Sequence, residues 1–264
     1  MLKGAIHIHS TYSDGEFTLA ELREIFLTEG CTFICMTDHA EYFDQDKLRA
    51  YQKECQSLSD QQLHFVAGME YSCDQRMHIL GYGATTLAES KDPQTVINHI
   101  GAQGAISVIA HPRDESFDWI EGFEALPQGI ETWNSKYDGR YAPRPATFAL
   151  LQRLRGRQPA MHAFYGQDLH WKKQFRGLFV QADCDYAEPS HILAALASGA
   201  YWGQKGELEL PSSGVLSEEM LAQFSSTHER SRRLWQLLKE GKKTLDRIGI
   251  KVPESLKTQL RRIF

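Results

Sequence analysis

The sequence has too few cysteines, at the wrong spacings, for a disulfide-stabilised or thiolate-bound metal protein. Its 264 residues contain five cysteines, an odd number: Cys31, Cys35, Cys55, Cys73 and Cys184. These positions follow neither a zinc-finger nor a Cys-x-x-Cys redox spacing. A disulfide framework is therefore not indicated, and we interpret the cysteines as free thiols of a protein in the reducing cytoplasm.

Long apolar runs and a strong net charge are also missing. No apolar stretch approaches the ~20 residues that a membrane-crossing helix needs. A cleavable secretory leader is not expected either, because the first candidate functional residue, His7, already falls where such a leader would lie. The formal net charge of −5 is too small to predict a polyanionic partner. We therefore expect a cytoplasmic protein without a membrane partner.

One segment departs from this mild charge balance. Residues 229–264 contain eleven Lys and Arg but only four Asp and Glu. Such a pattern is typical of a solvated helical face, and contact with nucleic acid is the alternative interpretation.

The chain is rich in alternating strand and helix patterns. Thr18 and Glu21 form a capping-box pattern at the start of the first helix. Repeated βα units imply a parallel sheet covered by helices, and roughly seven of them favour a closed barrel over an open sheet. The predicted strands cover residues 5–9, 33–37, 64–71, 78–82, 105–110, 130–133, 160–165 and 177–181, and the predicted helices cover 18–29, 43–58, 92–103, 146–154 and 190–197.

The pattern changes after Leu216, where charged helices are predicted at 217–240 and 254–262. We therefore expect a barrel over residues 1–215 and a helical C-terminal extension over residues 216–264 that packs on the barrel. Neither an internal repeat nor a low-complexity tract is visible in the sequence.

Candidate metal ligands begin at the end of the first predicted strand, with His7-Ile8-His9. Residues two apart on a strand point to the same side, so the two imidazoles can converge on one site. Most of the further candidates stand at the ends of predicted strands, where catalytic groups gather in a (β/α) barrel. They are imidazole and carboxylate side chains: Asp14, His39, Glu70, His78, His111, Asp168 and His170.

This donor set indicates a particular chemistry. Imidazole and carboxylate without sulfur favour Mn, Zn or Fe. Nine candidates are too many for one tetrahedral ion but suffice for two or three divalent ions that share a bridging carboxylate. Glu70 is the expected bridge, because its strand lies between those that carry His39 and His111. Such a site lowers the pKa of a bound water and suits phosphoester hydrolysis.

The ordered motifs resemble the PHP (polymerase and histidinol phosphatase) family over roughly residues 4–200. They are His-x-His with Ser-Asp-Gly downstream, Thr-Asp-His, Gly-x-Glu, a strand His, Ala-His-Pro and Asp-x-His. The resemblance implies a distorted (β/α)7 TIM-like barrel, a trinuclear site and metal-dependent phosphoesterase activity. The residues that match the family's metal ligands are His7, His9, Asp14, His39, Glu70, His78, His111, Asp168 and His170.

The resemblance does not name a substrate. His78 and His111 stand too close in sequence for the helical insertion that members acting on nucleoside phosphates or short oligonucleotides often carry. The histidinol-phosphatase branch usually replaces the Asp of Ser-Asp-Gly, whereas this chain keeps Asp14.

We expect hydrolysis of a small phosphomonoester or a nucleotide-type phosphoester by a metal-bound hydroxide. Asp168 or a nearby His, for which we take His39, would protonate the leaving oxygen. The substrate phosphate needs positive charge besides the metals. Arg113 follows the Ala-His-Pro motif, and three more cations lie in the loop after Trp133: Lys136, Arg140 and Arg144.

Two other functions stay open. An amidohydrolase-like metal-dependent hydrolase of C–N bonds shares the His-x-His motif and a late Asp, but here no Lys stands at the strand ends before His111 to form a bridging carbamate. A non-catalytic metal-binding partner module would be expected to have lost ligands. Around the site, we expect Asp38 to orient a ligand or to be solvated, and Glu131 and Asn134 to support it by hydrogen bonds.

Overall fold

A computed structural model describes residues 1–139 and 141–247. The predicted substrate-binding residue Arg140 and the predicted helix at 254–262 lie outside the described residues, as does part of the basic segment. Among the described helices, none is both long enough and apolar enough to cross a membrane.

The described part of the chain contains twelve strands and seven α-helices. Most coincide with predicted elements and differ by a few residues at the ends. The strands are β1 (Leu2–Ile8), β2 (Phe33–Met36), β3 (Asp38–His39), β4 (His64–Val66), β5 (Gly68–Ser72), β6 (His78–Tyr82), β7 (Ile106–Ala110), β8 (Gly129–Asn134), β9 (His162–Gly166), β10 (Phe179–Ala182), β11 (Tyr201–Lys205) and β12 (Leu208–Pro211). The helices are α1 (Leu19–Thr28), α2 (Gln45–Ser57), α3 (Pro93–Ala102), α4 (Phe117–Glu121), α5 (Pro145–Arg155), α6 (Pro189–Ser198) and α7 (Glu218–Arg247).

Local sequence signals explain where the first helices begin. The Thr18 side chain accepts a hydrogen bond from the Glu21 amide, and the Glu21 carboxylate accepts one from the Thr18 amide, so the predicted capping box is present. Helix α1 then buries Leu19, Leu22 and Phe26 against the sheet. The apolar positions recur every three or four residues, which places them on one face of the helix.

The strands form two six-stranded sheets. Their orders are β12-β11-β10-β1-β2-β4 and β3-β5-β6-β7-β8-β9. The mixed α/β class is confirmed, but the prediction of one parallel sheet is wrong, since β6 runs antiparallel to both β5 and β7, and β10 runs antiparallel to β1. A short connection joins β5 to β6, and only a long crossover can return a strand parallel to its neighbour.

The two sheets share their boundary at the candidate site. Strand β2 is followed after one residue by β3, and β4 is followed after one residue by β5, so each of these chain segments starts in the first sheet and ends in the second. A single bridge between Ile8 and Leu169 links β1 to the segment after β9. Within the described residues the sheets are not closed into one continuous hydrogen-bonded barrel.

The segment after residue 200 differs from the prediction in one element. The hairpin of β11 and β12, which extends the first sheet, was not predicted; its turn contains Gly206 at φ 57°, a conformation that favours glycine. Helix α7 begins where the predicted C-terminal helix begins. Its Phe224 is buried, and His228 Nε2 lies 2.8 Å from the carbonyl oxygen of Pro143.

Candidate metal centre

The first pair of imidazoles reaches the site through a bulge in β1. The pairing of β1 with β2 shifts its register between Ile6 and Ile8, and His7 adopts φ 61°. His9 follows the strand, and its amide donates to the Leu169 carbonyl over 3.0 Å. The two imidazoles do share one side, as predicted, but a bulge redirects them where plain strand alternation was expected.

Left-handed backbone occurs at three of the nine candidate ligands. His7 has φ 61°, His111 has φ 30° and Asp168 has φ 51°. Non-glycine residues rarely adopt this region, and each such conformation costs on the order of 1–3 kcal/mol. Strain concentrated on converging polar side chains is typical of a functional site.

Glu70 lies at the centre of the imidazoles and is 1% exposed. One carboxylate oxygen, Oε2, is 3.2 Å from His7 Nε2 and 3.1 Å from His9 Nε2. The other, Oε1, is 2.6 Å from His78 Nδ1 and 3.2 Å from His111 Nε2. His78 joins this set because it begins β6, whose antiparallel direction brings its first residue opposite Ser72, at the end of β5.

Two aspartates complete the cluster. Asp168 Oδ1 is 3.9 Å from both His7 Nε2 and His9 Nε2 and 3.2 Å from His170 Nδ1. Asp14 Oδ1 is 3.3 Å from His170 Nε2 and 3.8 Å from His39 Nε2. Asp14 is the more exposed of the two, with 36% of its side chain accessible.

These side chains form four overlapping groups whose ligand atoms lie within 4.8 Å of one another. Glu70 is the carboxylate that belongs to two of these groups, and its two oxygens would serve neighbouring ions. The groups are His9, Asp14, His39 and His170; His7, His9 and Asp168; His7, Glu70 and His111; and His39, Glu70 and His78. The structure thus brings together all nine residues that the sequence nominates as ligands.

Buried nitrogens without partners indicate that this cluster fits divalent ions. Within the described part of the chain, Nδ1 of the fully buried His9 has no hydrogen-bond partner, its Nε2 lies 3.1 Å from Glu70 Oε2 without hydrogen-bond alignment, and Nδ1 of His39 is also unpartnered. Burial lowers the pKa of His9 to about 3, so its imidazole is neutral at neutral pH. A neutral imidazole nitrogen is a ligand for transition ions, and leaving it buried and unpaired is costly.

The central carboxylates are held in their ionised forms. Burial alone would raise the pKa of Glu70, but the positive field of His7 and the hydrogen bonds from His111 and His78 lower it well below its usual value. The same opposition of burial and neighbouring cations lowers the pKa of Asp168. Ionised carboxylates beside imidazoles are the donor set that Mn, Zn and Fe ions accept.

Glu131 holds two of the candidate ligands, His7 and His111, by hydrogen bonds. Its Oε1 is 2.7 Å from His7 Nδ1, and its Oε2 accepts from the His111 amide and from Asn134 Nδ2, each over 2.9 Å. Asn134 Nδ2 also donates to Asp168 Oδ2 over 3.0 Å. The predicted support by these two residues is thus present. A Cβ on Gly166 would lie 1.7 Å from Glu131 Oε1, which explains the glycine.

Asp38 holds the loop that carries Asp14. It is fully buried, so the alternative of a solvated loop residue is wrong. Its Oδ1 accepts from the amide of Ser10 over 2.8 Å and from the hydroxyl of Ser13 over 2.7 Å. The main action of Asp38 is therefore on the backbone between His9 and Asp14.

Two of the predicted phosphate-binding cations lie beside the cluster. Lys136 Nζ is 2.9 Å from Asp168 Oδ1 and 3.4 Å from His170 Nδ1. Arg113 is exposed and lines a cleft of about 200 Å³ together with His111 and Pro112. Both side chains carry positive charge to the mouth of the candidate centre.

Arg144 is engaged within the protein. Its Nε is 2.7 Å from Asp138 Oδ1, its Nη1 is 2.9 Å from Asp114 Oδ1, and its Nη2 donates to the Pro112 carbonyl. These contacts tie the loop after β8 to the loop after β7. Arg144 therefore braces two loops at the site, and with Arg113 and Tyr137 it also lines a cleft of about 190 Å³.

Tyr137 was missed by the sequence reasoning. Its exposed ring lies 4.6 Å from that of His111, and Lys136 Nζ lies 5.0 Å above it. The only signal was its place between Lys136 and Arg140 in a loop already thought to face the site.

Comparisons with known proteins agree with this site. The family model described as the PHP domain matches residues 5–163. A two-domain protein of Bacteroides vulgatus, containing a predicted PHP-like metal-dependent phosphoesterase, superposes with a TM-score of 0.57 at 19% identity, over 85% of this chain and 69% of that one. PsfC from Pseudomonas syringae superposes with a TM-score of 0.53 at 11% identity, over 89% of this chain and 98% of that one. At these identities the likeness concerns the fold.

A shorter stretch is similar to the DNA polymerase/3'-5' exonuclease PolX of Bacillus subtilis, with 33% identity over 64 residues. The match spans 22% of this chain and 11% of the polymerase. The family model, by contrast, covers more than half of the chain and includes seven of the nine clustered residues. The chain therefore belongs to the PHP domain family.

Proposed function

We propose that the protein hydrolyses a small phosphomonoester or nucleotide-type phosphoester, using two or three Mn, Zn or Fe ions. The observation that carries this proposal is the set of imidazoles around the buried carboxylate of Glu70, with Nδ1 of His9 left without a hydrogen-bond partner among the described residues. The proposed ligands are the nine residues of the four overlapping groups.

When bound, such ions supply Lewis acidity, which activates water and neutralises charge on phosphoryl oxygens. The chain's own cations would hold the phosphate from the open side. Lys136 is protonated, because the field of Asp168 outweighs the effect of burial and raises its pKa. Arg113 is exposed on the adjoining cleft, where a bidentate contact with phosphate is available.

The proton for the leaving oxygen is better assigned to a histidine than to Asp168. The depressed pKa of Asp168 keeps its carboxylate ionised, so it has no proton to give at neutral pH. His39 lies at the rim of the cluster with 12% of its side chain exposed, between Asp14 and Glu70. We therefore propose that the proton comes from the His39 ring nitrogen that is not bound to a metal, and that Asp168 orients Lys136 and His170.

The test is phosphate release from a panel of sugar phosphates, nucleotides, bisphosphates and oligonucleotides, with added Mn or Zn. A parallel panel of amides and cyclic ureides tests the amidohydrolase-like alternative. We expect phosphate release that chelation abolishes. His9→Ala should lower kcat/KM by at least about a hundredfold, whereas His191→Ala, on the exposed face of α6, should retain activity.

Other outcomes of these assays would favour other functions. Hydrolysis confined to the amide panel would favour C–N bond chemistry. Full metal occupancy without hydrolysis of any ester or amide would favour a non-catalytic metal-binding partner module. Cleavage of oligonucleotides in preference to small esters would make nucleic acid the substrate, and would agree with the short similarity to the polymerase.

The barrel, the C-terminal extension and the cellular location are also part of this proposal. The adjoining strands of the two sheets, with the bridge between Ile8 and Leu169, support a distorted barrel of residues 1–215 that includes antiparallel strands. The contacts of Phe224 and His228 support an extension, residues 216–264, packed on it. The five cysteines are unpaired and four are buried, which supports a reducing, cytoplasmic location.

A further inference from the structure

Exposed aromatic side chains lie around the candidate metal centre. Five Tyr and Trp side chains are exposed among the described residues, and three of these stand next to a histidine that belongs to the candidate metal groups. Proteins usually bury most of an aromatic ring, so several exposed rings around one polar site indicate a surface for a ligand. We call these three side chains the aromatic rim: Tyr42, Tyr137 and Trp171.

Tyr42 and Trp171 flank the same group of candidate ligands. The ring centroid of Tyr42 lies 6.3 Å from that of His39, and the ring centroid of Trp171 lies 5.6 Å from that of His170. The two histidine rings are 5.9 Å apart, and both belong to the group that contains Asp14. A phosphate bound at this group would therefore lie near two aromatic rings, one beside each histidine.

Solvent reaches this group at Asp14, which has 36% of its side chain accessible. Its Oδ1 lies 3.3 Å from His170 Nε2 and 3.8 Å from His39 Nε2, so the accessible carboxylate stands between the two histidines that the rings flank. The leaving group of a bound phosphoester has to extend into accessible space. That space adjoins Tyr42 and Trp171, which are 48% and 39% exposed.

Cations accompany two rings of the aromatic rim. Lys173 Nζ lies 5.1 Å above the ring of Trp171, and Lys136 Nζ lies 5.0 Å above the ring of Tyr137. Lys173 is exposed, and an exposed side chain changes rotamer within nanoseconds, so it can leave the ring to a ligand and contact a phosphate instead. Aromatic rings interspersed with cations are the combination on which proteins stack nucleobases and hold the phosphates between them. A sugar or amino-alcohol phosphate offers no planar ring to stack.

We propose that the aromatic rim binds the nucleobase of the substrate, with Trp171 and Tyr42 as the stacking platforms, so that nucleotide-type phosphoesters are preferred over base-free ones. This proposal rests on the proposed function, since it assigns the scissile phosphoester to the metal centre. A mononucleotide and a short single-stranded oligonucleotide both offer this chemistry.

The first test measures binding to the metal-loaded full-length protein, with probes that cannot be hydrolysed. They are analogues of adenosine 3′- and 5′-phosphate in which CH2 replaces the bridging oxygen, and the matching ribose compounds without the base. We expect one adenosine probe to bind about fivefold more tightly or more than its ribose counterpart in calorimetry, as the stacking of one base allows. It should also quench the tryptophan fluorescence that Trp171→Phe removes.

Matched substitutions separate stacking from a structural role. Trp171→Leu and Tyr42→Leu, made singly and together, remove the rings, whereas Trp171→Phe and Tyr42→Phe keep an aromatic ring at each place. The Leu variants should lose affinity for the adenosine probe by about fivefold or more and keep their affinity for the ribose probe within about twofold, and the Phe variants should retain most of the preference. Tyr186→Leu, which removes an exposed ring beside His191, should change neither affinity.

Dinucleotide probes identify the source of the base. A further gain of about fivefold from a second base would show that the rim stacks separate bases of an oligonucleotide. Equal binding of the mononucleotide and dinucleotide probes would assign the rim to a mononucleotide. Both results support the proposal.

Equal binding of the base-bearing and base-free probes would overturn the proposal, as would Leu variants that weaken both probes alike. Failure of this inference can be told from failure of the proposed function. Hydrolysis of phosphomonoesters without any gain from a base would remove the aromatic rim from substrate binding and leave the activity intact. Absence of both phosphonate binding and ester hydrolysis in metal-loaded protein would refute the two together.

Discussion

Replacement of Glu131 by Gln should perturb the candidate metal centre without replacing any proposed ligand. The carboxylate is fully buried. It accepts from three directions: one oxygen faces His7 Nδ1, and the other accepts from the His111 amide and from Asn134. An amide of the same shape has one acceptor oxygen and one donor nitrogen. Its nitrogen must therefore either face a donor or make His7 Nδ1 an acceptor, which moves the ring proton to Nε2, the nitrogen that faces Glu70.

The size of the effect follows from the ligands that Glu131 orients. It fixes the ring of His7 and the backbone of His111, and these two residues share one group of potential metal ligands with Glu70. Loss of such an outer partner lowers metal affinity by about tenfold to a hundredfold. This corresponds to about 1.4–2.8 kcal/mol of binding free energy at 25 °C.

The assay is competition for Mn or Zn against a chromophoric chelator, at fixed pH and ionic strength, with circular dichroism to show that the variant is folded. Glu124→Gln is the matched control, because Glu124 is exposed. The reasoning is refuted if folded Glu131→Gln binds metal as tightly as the wild type, within about twofold.

Three further predictions concern stability. Gly166→Ala should lower the free energy of unfolding, measured by chemical denaturation, by about 1–3 kcal/mol or more, because the new Cβ would lie 1.7 Å from Glu131 Oε1. The control is Gly101→Ala in helix α3, where the new Cβ would have no atom within 4 Å; this variant should be as stable as the wild type or more stable. Removal of metal by a chelator should lower Tm, and added Mn or Zn should restore it, since ligands that bind only the native state stabilise it; an unchanged Tm would contradict a metal-loaded native protein. Burial lowers the pKa of His162, so as pH drops through about 6.5 the unfolded chain takes up a proton there more readily than the folded protein, and the contribution of His162 to stability should fall. The difference in unfolding free energy, His162→Gln minus wild type, should therefore rise between pH 8 and pH 5. A difference that does not change with pH would contradict this prediction.

Much of the fold could be predicted because its helices and strands are locally encoded. The capping box at Thr18 and the apolar stretch of β7 are examples, and both elements lie within a residue or two of the prediction. Strand direction is different, because it depends on how the chain returns between neighbours. Strand β6 reverses because a short connection joins it to β5. Strands β11 and β12 form a hairpin that joins the first sheet through β10. The periodicity of the sequence reveals neither the strand directions nor the pairing partners.

For the site, motif order predicted which imidazoles and carboxylates would come together, but not how. His7 reaches Glu70 through a bulge and a left-handed conformation, which tertiary pairing imposes on an ordinary histidine. Arg113 and Arg144 both lie in loops that follow predicted strands, but Arg113 is exposed whereas Arg144 pairs with Asp138. Position in a loop does not predict which cation is paired within the protein.

The most direct test of the central claim is one titration in which bound metal and released phosphate are measured in the same samples of chelator-treated protein. The account predicts that phosphate release appears as two or three equivalents of Mn or Zn are bound, and that His9→Ala loses both. Phosphate release that persists after complete removal of metal, or two or three bound ions without hydrolysis of any phosphoester, would contradict it.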